Sequence, residues 1–276
     1  KEEATPLPKE FIQDFLKDKS YKSNNYRGIK EEYHKFFGHV SKLNDKGEVI
    51  AQYYPETQNG KLTGYKARNH PKDFSYGKVG TTGSHCELSG QVKFKTGGKY
   101  CLCVGGEEDK VAAYQMLRDY QLSKNQGDYE PIPVVSPTTG ESSSVSQIAR
   151  QYEWFDMFDV ICIGMDNDEA GRAATAKIVE VLPKEKVRII TWSGKDPNKM
   201  LQDGKANQFI RDFYNGKEVI STGVKTATES FDEVREFLTA EKIPLPPHLH
   251  RVQEAHRGGI RSTGCIGNII GDTSIG

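Results

Sequence analysis

The hydrophobic pattern of the chain changes character near residue 99. Before that point, strand-like runs at 39–43, 49–54 and 62–68 are separated by turns at 44–47 and 58–61 that contain asparagine and glycine. Short runs joined by such turns are typical of antiparallel hairpins. The first part of the chain is therefore predicted to form a small β-meander.

From residue 99 onward, apolar runs alternate with segments of helical periodicity. In the first of these segments, Val111, Tyr114 and Leu117 recur at helical spacing. Strands that are apolar throughout, with helices between them, are typical of a parallel α/β sheet. The pattern predicts strands at 100–104, 132–136, 160–165 and 187–191, and helices at 107–120, 145–155 and 170–182.

The last fifty residues follow a third pattern. Phe231, Val234 and Leu238 predict a short amphipathic helix within 229–238. Three prolines, at 244, 246 and 247, then indicate a linker. A final strand is predicted at 266–270, where it leads into the glycine-containing loop 271–276.

The charge balance adds a second division of the chain. The 276 residues carry 38 Lys and Arg and 38 Asp and Glu, and a net charge of zero by itself argues against a nucleic-acid-binding protein. However, residues 1–99 carry 18 basic and 12 acidic residues, so their net charge is +6 and that of the remainder is −6. This asymmetry indicates either a phosphate-binding surface beside an acidic metal site or two domains with ordinary but different surfaces.

Cysteines and apolar runs exclude several classes of protein. The five cysteines form no CxxC pair, so neither a disulfide framework nor a zinc ribbon is indicated. Cys101 and Cys103 fall on a predicted buried strand, which favours core packing over metal binding. No apolar run approaches the roughly 18 residues of a membrane span, and the N-terminus has no signal-peptide pattern. We therefore expect a soluble, intracellular protein without a membrane partner.

Acidic residues follow successive predicted strands. Asp166 and Asp168 come directly after the strand at 160–165, and Asp196 follows the strand at 187–191. The carboxyl ends of parallel strands share one edge of the sheet, where such folds bind ligands. Carboxylates converging there predict a Mg²⁺ site. Asp168 also precedes a predicted helix, so an N-cap is the alternative for that residue.

These motifs resemble the Toprim domain of primases and topoisomerases. The resemblance is carried by a glycine turn with Asp109, by Met-Asp-Asn-Asp-Glu-Ala-Gly-Arg at 165–172, and by Lys-Asp-Pro-Asn at 195–198. In this form the motifs are most similar to the primase-helicases of T-odd bacteriophages. The loop from Gly271 to Gly276 resembles the first six residues of a P-loop, which implies a RecA-like helicase domain after it.

The resemblance implies an α/β fold: a Toprim parallel sheet with flanking helices, preceded by a small basic antiparallel β-rich subdomain. The implied division is a basic N-terminal primase subdomain at 1–98, a Toprim domain at 99–222, a linker helix with a proline-rich linker at 223–250, and the start of the helicase domain at 251–276.

The function that the resemblance implies is synthesis of short RNA primers on single-stranded DNA from ribonucleoside triphosphates. Mg²⁺ is the expected cofactor, with Mn²⁺ as the alternative, and no zinc site is expected in this part of the protein. Metal ligation is implied for Asp166, Asp168 and Asp196, and catalysis for Asp109 and Glu107. The implied nucleotide- and template-binding residues are Lys66, Arg68, Lys72, His85 and Arg172. Each could instead be an ordinary surface residue, and for His85 an ordinary turn histidine is the favoured alternative.

One departure from the family pattern bears on activity. The family motif E-G-x-x-D places a glutamate at the position that Gly105 occupies, ahead of Gly106 and Asp109. That glutamate is understood as a metal ligand or general base. Two hypotheses follow: an active primase, or a decayed Toprim module that binds single-stranded DNA and supports an attached ring helicase. A topoisomerase or nuclease is less compatible with the P-loop that follows.

The resemblance also implies partners for the intact protein. We expect a homo-oligomeric ring, a hexamer, in which the 229–238 helix docks on a neighbouring subunit; packing within the chain is the alternative. A phage DNA polymerase is a further expected partner, and the cytoplasm of the infected bacterium is the expected location.

Overall fold

The computed structural model describes residues 4–21, 25–70, 78–139, 141–219 and 242–261, together with 231, 235 and 239. The chain separates into two compact units, Lys1–Val219 and Ile220–Gly276.

An antiparallel sheet forms the first layer of the larger unit. Its four strands pair in chain order, which confirms the predicted β-meander. The fourth strand, which is only three residues long, was not predicted from the sequence. The strands are β1 (Val40–Leu43), β2 (Val49–Gln58), β3 (Lys61–Asn69) and β4 (Lys78–Gly80).

The register of this sheet puts several polar residues on one face. Tyr54 of β2 lies opposite Lys66 of β3, and Lys66 lies opposite Lys78 of β4. Glu56 follows Tyr54 by two residues, so it projects from the same face. This is the face that carries polar residues towards the second sheet.

The N-terminal region also contains two short helices that were not predicted from the sequence, α1 (Lys9–Leu16) and α2 (Glu31–Phe37). Helices of eight and seven residues span too few turns to establish a periodicity. The rings of Tyr33 and Phe37 on α2 pack against Tyr114, with centroids 5.9 and 5.1 Å away. The N-terminal region thus shares its core with the domain that follows.

A five-stranded sheet confirms the predicted parallel α/β domain. Its strand order is β6-β5-β7-β8-β9, and β9 is antiparallel to β8 while the other four strands are parallel. The two residues of β9 are exposed, which is why the hydrophobic pattern did not reveal them. The strands are β5 (Gly98–Val104), β6 (Val134–Val135), β7 (Phe158–Gly164), β8 (Val187–Ile189) and β9 (Lys217–Glu218).

The helices that follow β5, β6 and β7 were predicted from the sequence, whereas the two short helices after β8 were not. The predicted helix at 145–155 is two helices, because the chain leaves helical geometry at Gln151 (φ −102°, ψ 19°). The helices are α3 (Glu107–Ser123), α4 (Glu141–Arg150), α5 (Tyr152–Asp156), α6 (Glu169–Val181), α7 (Pro197–Gln202) and α8 (Ala206–Tyr214).

The core of the larger unit lies around β5 and β7. Leu102 and Ile161 are fully buried, as expected for strands covered by helices on both faces. Cys101, Cys103 and Cys162 are buried free cysteines, which agrees with the expected packing role. Together these apolar strands fix the sheet edge at which the polar residues meet.

The smaller unit contains an antiparallel pair, β10 (Lys242–Ile243) with β11 (Ile260–Arg261), and the helix α9 (His250–Ala255). The start of the predicted P-loop, Gly271 to Gly276, lies outside the described residues, as do Val234 and Leu238 of the predicted linker helix. No helix in the described part of the chain is long and apolar enough to span a membrane.

Candidate active site

Two strand ends meet at a glycine turn. Val104 of β5 is paired with Gly164 of β7, so the segments that leave these strands run side by side. A Cβ atom built on Gly105 would lie 2.8 Å from Asp166 Oδ1, and one on Gly106 would lie 3.1 Å from Asp109 Oδ2. The carboxylates of Asp109 and Asp166 therefore both face the Gly105–Gly106 turn.

Asp109 is a half-buried acid in the first turn of α3. Its Oδ1 accepts a hydrogen bond from the backbone N–H of Asn198 on α7, at 3.1 Å. Burial raises the pKa of Asp109 well above its usual range, and the charges of Asp196 and Asp166 raise it further. Asp166 and Asp196, the acids after β7 and β8, thus both lie within electrostatic reach of Asp109.

Asp168 and Asp196 both cap helices. Asp168 Oδ1 accepts the N–H of Gly171 at 2.8 Å and begins α6, while Asp196 Oδ1 accepts the N–H of Lys199 at 2.6 Å and begins α7. The N-cap alternative for Asp168 is therefore what the structure shows, and the exposed Asp168 does not line the cavity described below. Its role as a metal ligand stays a prediction.

The local structure explains why residue 171, in the Ala-Gly-Arg sequence, is a glycine. A Cβ atom at this position would overlap the carbonyl group of Asp166. Glycine therefore allows the first turn of α6 to pack directly on the backbone that carries Asp166, and so contributes to placing this carboxylate.

The donor chemistry of this site fits a divalent cation. Oxygen ligands from carboxylates are those that Mg²⁺ prefers, and a bound cation would relieve the repulsion that Asp166 and Asp196 exert on Asp109. Among the described residues, however, no three acidic, His or Cys side chains are already closed around one point. The site thus supplies suitable ligands without a preformed cage, which is typical of Mg²⁺ held partly by substrate phosphates.

A cavity of about 460 Å³ opens beside these acids. Asp109, Asp166 and the Gly105–Gly106 turn form one side of it. The antiparallel sheet, two loops and α4 supply further lining residues: Glu56, Lys66, Lys78, Thr82, Gly83, Pro137, Thr138, Thr139 and Ser144.

Lys66 is held in place at the edge of this cavity. Its Nζ donates hydrogen bonds to Glu107 Oε1 at 2.7 Å and to the backbone oxygen of Thr138 at 2.9 Å. Glu107, predicted to be catalytic, thus forms an ion pair with Lys66. The structure brings four of the predicted site residues together: Lys66, Glu107, Asp109 and Asp166.

Glu108 is directed elsewhere. Its carboxylate accepts a hydrogen bond from Tyr54 Oη at 2.5 Å within the core, and burial raises its pKa. Glu108 therefore does not replace the glutamate that the family motif has at the position of Gly105.

The other predicted binding residues lie at different distances from the cavity. Arg68 is two residues beyond Lys66 on the same face of β3, but it does not line the cavity. His85 is exposed and does not line it either. Arg172 lines a separate cavity of about 280 Å³ that shares Asp166. Lys72 lies outside the described residues.

Sequence reasoning missed Glu56, Lys78, Thr82 and Thr138 as cavity residues. Lys78 belongs to the basic N-terminal region, and that charge was the only available signal. Glu56 is an isolated acid in a strand-like run, and the loop that carries Thr138 joins the cavity only through tertiary folding.

Comparison with known proteins agrees with this architecture. Residues 112–201 match a family model described as Toprim-like. The chain is 30% identical over 223 residues to the DNA helicase/primase of Enterobacteria phage T3, a match that covers 80% of this chain and 36% of the relative. The chain therefore spans little more than a third of the length of that relative.

Two solved structures from bacteriophage T7 are also similar. The primase fragment of the primase-helicase matches with 29% identity and a TM-score of 0.59, over 70% of this chain and 74% of that one. A second match is a primase domain, with 28% identity and a TM-score of 0.61, over 72% of this chain and 94% of that one. In that structure two primase domains, bound to an RNA/DNA hybrid and dTTP, interact with the lagging-strand DNA polymerase. The chain is thus a homologue of the phage primase-helicases, and the part of them that it matches is the primase with its Toprim-like domain.

Proposed function

We propose that this chain is the primase part of a phage replicative primase-helicase and makes short RNA primers on single-stranded DNA. The observation that carries the proposal is the single cavity that Asp109 and Asp166 line together with Lys66 and Lys78. Acidic cation ligands in one cavity with phosphate-binding lysines suit the binding of a nucleoside triphosphate with its metal. Similarity to the T3 and T7 proteins supports synthesis and does not favour the decayed-module hypothesis.

In this proposal Asp109, Asp166 and Asp196 would hold Mg²⁺, with Mn²⁺ as the alternative. A cation held there would supply neutralisation of the triphosphate charge for attack by the primer 3′ hydroxyl, with pyrophosphate leaving. Lys66 and Lys78, which line the same cavity, would bind the phosphates. Glu107 keeps the Lys66 ammonium group at the cavity edge, so its contribution to nucleotide binding acts through that lysine.

The same proposal extends to residues beyond the cavity. Arg68, Lys72, His85 and Arg172 are proposed contacts for the template strand, and Asp168 is a proposed additional metal ligand.

We propose the domain limits of 1–98, 99–222, 223–250 and 251–276 for the four parts of the chain. In the intact protein we propose a hexameric ring, a DNA polymerase as a partner, and action in the host cytoplasm.

Primer synthesis with labelled ribonucleotides, single-stranded DNA and Mg²⁺ tests the proposal. We expect Asp166→Asn and Asp109→Asn each to lower the rate about 100-fold or more, because each removes a charge that stabilises the transferring phosphoryl group. Asp159→Asn is a matched control, since Asp159 is exposed at the opposite end of β7 from Asp166. Synthesis that persists in the Asp109→Asn/Asp166→Asn double variant would contradict the proposal.

A further inference from the structure

One wall of the cavity is a continuous chain of hydrogen bonds. It begins at Glu107, whose Oε1 accepts from Lys66 Nζ at 2.7 Å, and continues from the same Nζ to the backbone oxygen of Thr138 at 2.9 Å. Thr138 Oγ1 donates to the backbone oxygen of Gly83 at 3.5 Å. The N–H of Gly83 then donates to Glu56 Oε2 at 2.7 Å. All five residues line the cavity.

Glu56 lies at the end of this chain and is almost fully buried, with 2% of its surface exposed. Glu56 lies opposite Gly64 of β3, and this glycine allows the turn at 81–83 to approach the Glu56 side chain. A Cβ atom at Gly64 would lie 2.5 Å from the backbone oxygen of Thr81 and 2.8 Å from Thr82 Cγ2. The absence of a side chain there lets the turn pack directly over β3, beside the Glu56 carboxylate.

The turn itself depends on an unusual backbone conformation. Gly83 has φ of +109°, a region that residues with a side chain rarely adopt. Glu56 accepts the N–H and Thr138 donates to the carbonyl oxygen of this residue, so the turn is held from both sides. Thr82 and Gly83 thereby form a fixed part of the wall of the cavity that Asp109 and Asp166 also line.

We propose that Glu56 is a positioning residue for nucleotide binding, which holds the Thr82–Gly83 turn as a wall of the triphosphate site. The inference deepens the proposed function and rests on it for the identity of the ligand. Glu56 itself is expected to contact the turn, not the reacting atoms.

The electrostatics of Glu56 are compatible with an anionic ligand. Burial raises the pKa of its carboxyl group to about 7, and the charge of Glu107 adds to this effect. The Gly83 N–H, the Cys86 thiol and the Lys66 ammonium group act in the opposite direction. Near neutral pH the group is therefore partly protonated, and it repels bound phosphates less than a fully ionised carboxylate would.

The test measures the dissociation constant of each ribonucleoside triphosphate with Mg²⁺ by calorimetry, and KM and kcat in primer synthesis. For Glu56→Ala we expect the dissociation constant and KM to rise about tenfold or more, because the Gly83 N–H loses its acceptor and the turn is no longer held. We expect kcat to change much less. Glu56→Gln keeps an acceptor for the Gly83 N–H and should restore values close to those of the unsubstituted chain.

Glu87→Ala is the matched control for these variants. Glu87 Oε1 accepts the N–H of Gly60 at 3.0 Å, so it performs the same task in a turn that does not line the cavity. We expect nucleotide affinity and KM to be unchanged by this substitution. If Glu56→Ala does not fold, Glu56→Asp takes its place, since a shorter carboxylate loses the Gly83 contact and should raise KM in the same direction.

The outcomes separate this inference from the proposed function. Normal nucleotide affinity in a folded Glu56→Ala protein that makes primers would overturn the inference alone, as would a loss in Glu56→Gln equal to that in Glu56→Ala. Tight triphosphate binding that Glu56→Ala weakens, in a chain that makes no primers, would support the inference and contradict the proposed function.

Discussion

Lys110 is a lysine in the interior of the protein, with 1% of its surface exposed. Its Nζ donates a hydrogen bond to Ser89 Oγ at 2.7 Å, and it lies 3.1 Å from His39 Nε2 and 4.3 Å from the centre of the Phe37 ring. Burial lowers the pKa of Lys110 to about 7 despite the nearby charges of two glutamates. Burial and the Lys110 charge together also lower the pKa of His39 well below its usual range.

This burial predicts a pH dependence of stability. The unfolded lysine has a pKa near 10.5, so between about pH 7 and pH 10 the unfolded chain binds more protons than the folded one. Stability therefore rises with pH across this window, and the full penalty is present below pH 7. Lys110→Met has a similar volume and no charge, so its advantage over the unsubstituted chain should shrink by on the order of 3 kcal/mol between pH 7 and 10.

Urea unfolding of both proteins at several pH values measures this difference. Groups that do not interact with Lys110 titrate alike in both proteins, so they cancel in the comparison, and burial keeps the pKa of His39 below this pH window. A difference in unfolding free energy that stays constant from pH 7 to pH 10 would show that Lys110 keeps an ordinary pKa in the folded state.

At the residue scale, sequence motifs located the acids but not the direction of every side chain. Asp109, Asp166 and Asp196 were found because strand ends of a parallel sheet share an edge. The directions of Glu107 and Glu108 could not be predicted, because consecutive residues on a helix diverge by about 100° and tertiary contacts decide which one faces the site. The structure pairs Glu107 with Lys66 and buries Glu108 against Tyr54.

At the scale of elements, both acid-bearing loops after β7 and β8 end in helix N-caps. Asp168 begins α6 and Asp196 begins α7, each through one side-chain oxygen that accepts a backbone N–H. A capping carboxylate is fixed relative to its helix, and α7 also donates the Asn198 N–H to Asp109. The caps thus help to align the two helices with the carboxyl edge of the sheet.

The cap at Asp168 can be tested separately from any metal role. We expect Asp168→Ala to lower the free energy of unfolding by about 1 kcal/mol, because the Gly171 N–H loses its acceptor. Asparagine is as good an N-cap as aspartate, so Asp168→Asn should keep the stability of the unsubstituted chain. Chemical unfolding of the three proteins measures the effect, and an Asp168→Ala protein of undiminished stability would contradict the capping role.

The same pair of variants examines metal ligation. Asp168→Asn removes the charge and retains the cap, so any change in primer synthesis by this variant reports the loss of the charge alone. Asp166→Asn provides the reference for loss of an acid that lines the cavity.

The apolar strands of the parallel sheet were predicted from the sequence, whereas the edge strands β4 and β9 and the short helices α1, α2, α7 and α8 were missed. Strands β5, β7 and β8 are apolar runs buried by helices, so their sequences carry the signal. Strands β4 and β9 contain three and two residues and lie at sheet edges, where pairing with a neighbour decides the conformation.

At the scale of the whole molecule, the basic N-terminal region divides into two separate sites. Lys66 and Lys78 line the cavity with the acids. Lys93, Lys95 and Lys99 instead line a different cavity, of about 170 Å³, near the start of β5. The acids lie beyond the other end of this seven-residue strand, which is about 20 Å long. Charge counting along the sequence could not separate these groups, because it ignores where each strand begins and ends.

This separation predicts different effects of the two groups of lysines on nucleotide binding. Lys78→Ala removes a cation from the wall of the triphosphate cavity and should raise the KM for ribonucleoside triphosphates about tenfold. The Lys93→Ala/Lys95→Ala/Lys99→Ala variant removes three exposed charges at the far end of β5, where a nucleotide bound at the acids cannot reach. We therefore expect its KM to stay within about twofold of the unsubstituted value, because charges at this distance are screened at physiological salt. Steady-state kinetics at 0.15 M salt distinguishes the two. An equal rise of KM in both variants would mean that the lysines act on the triphosphate as one surface.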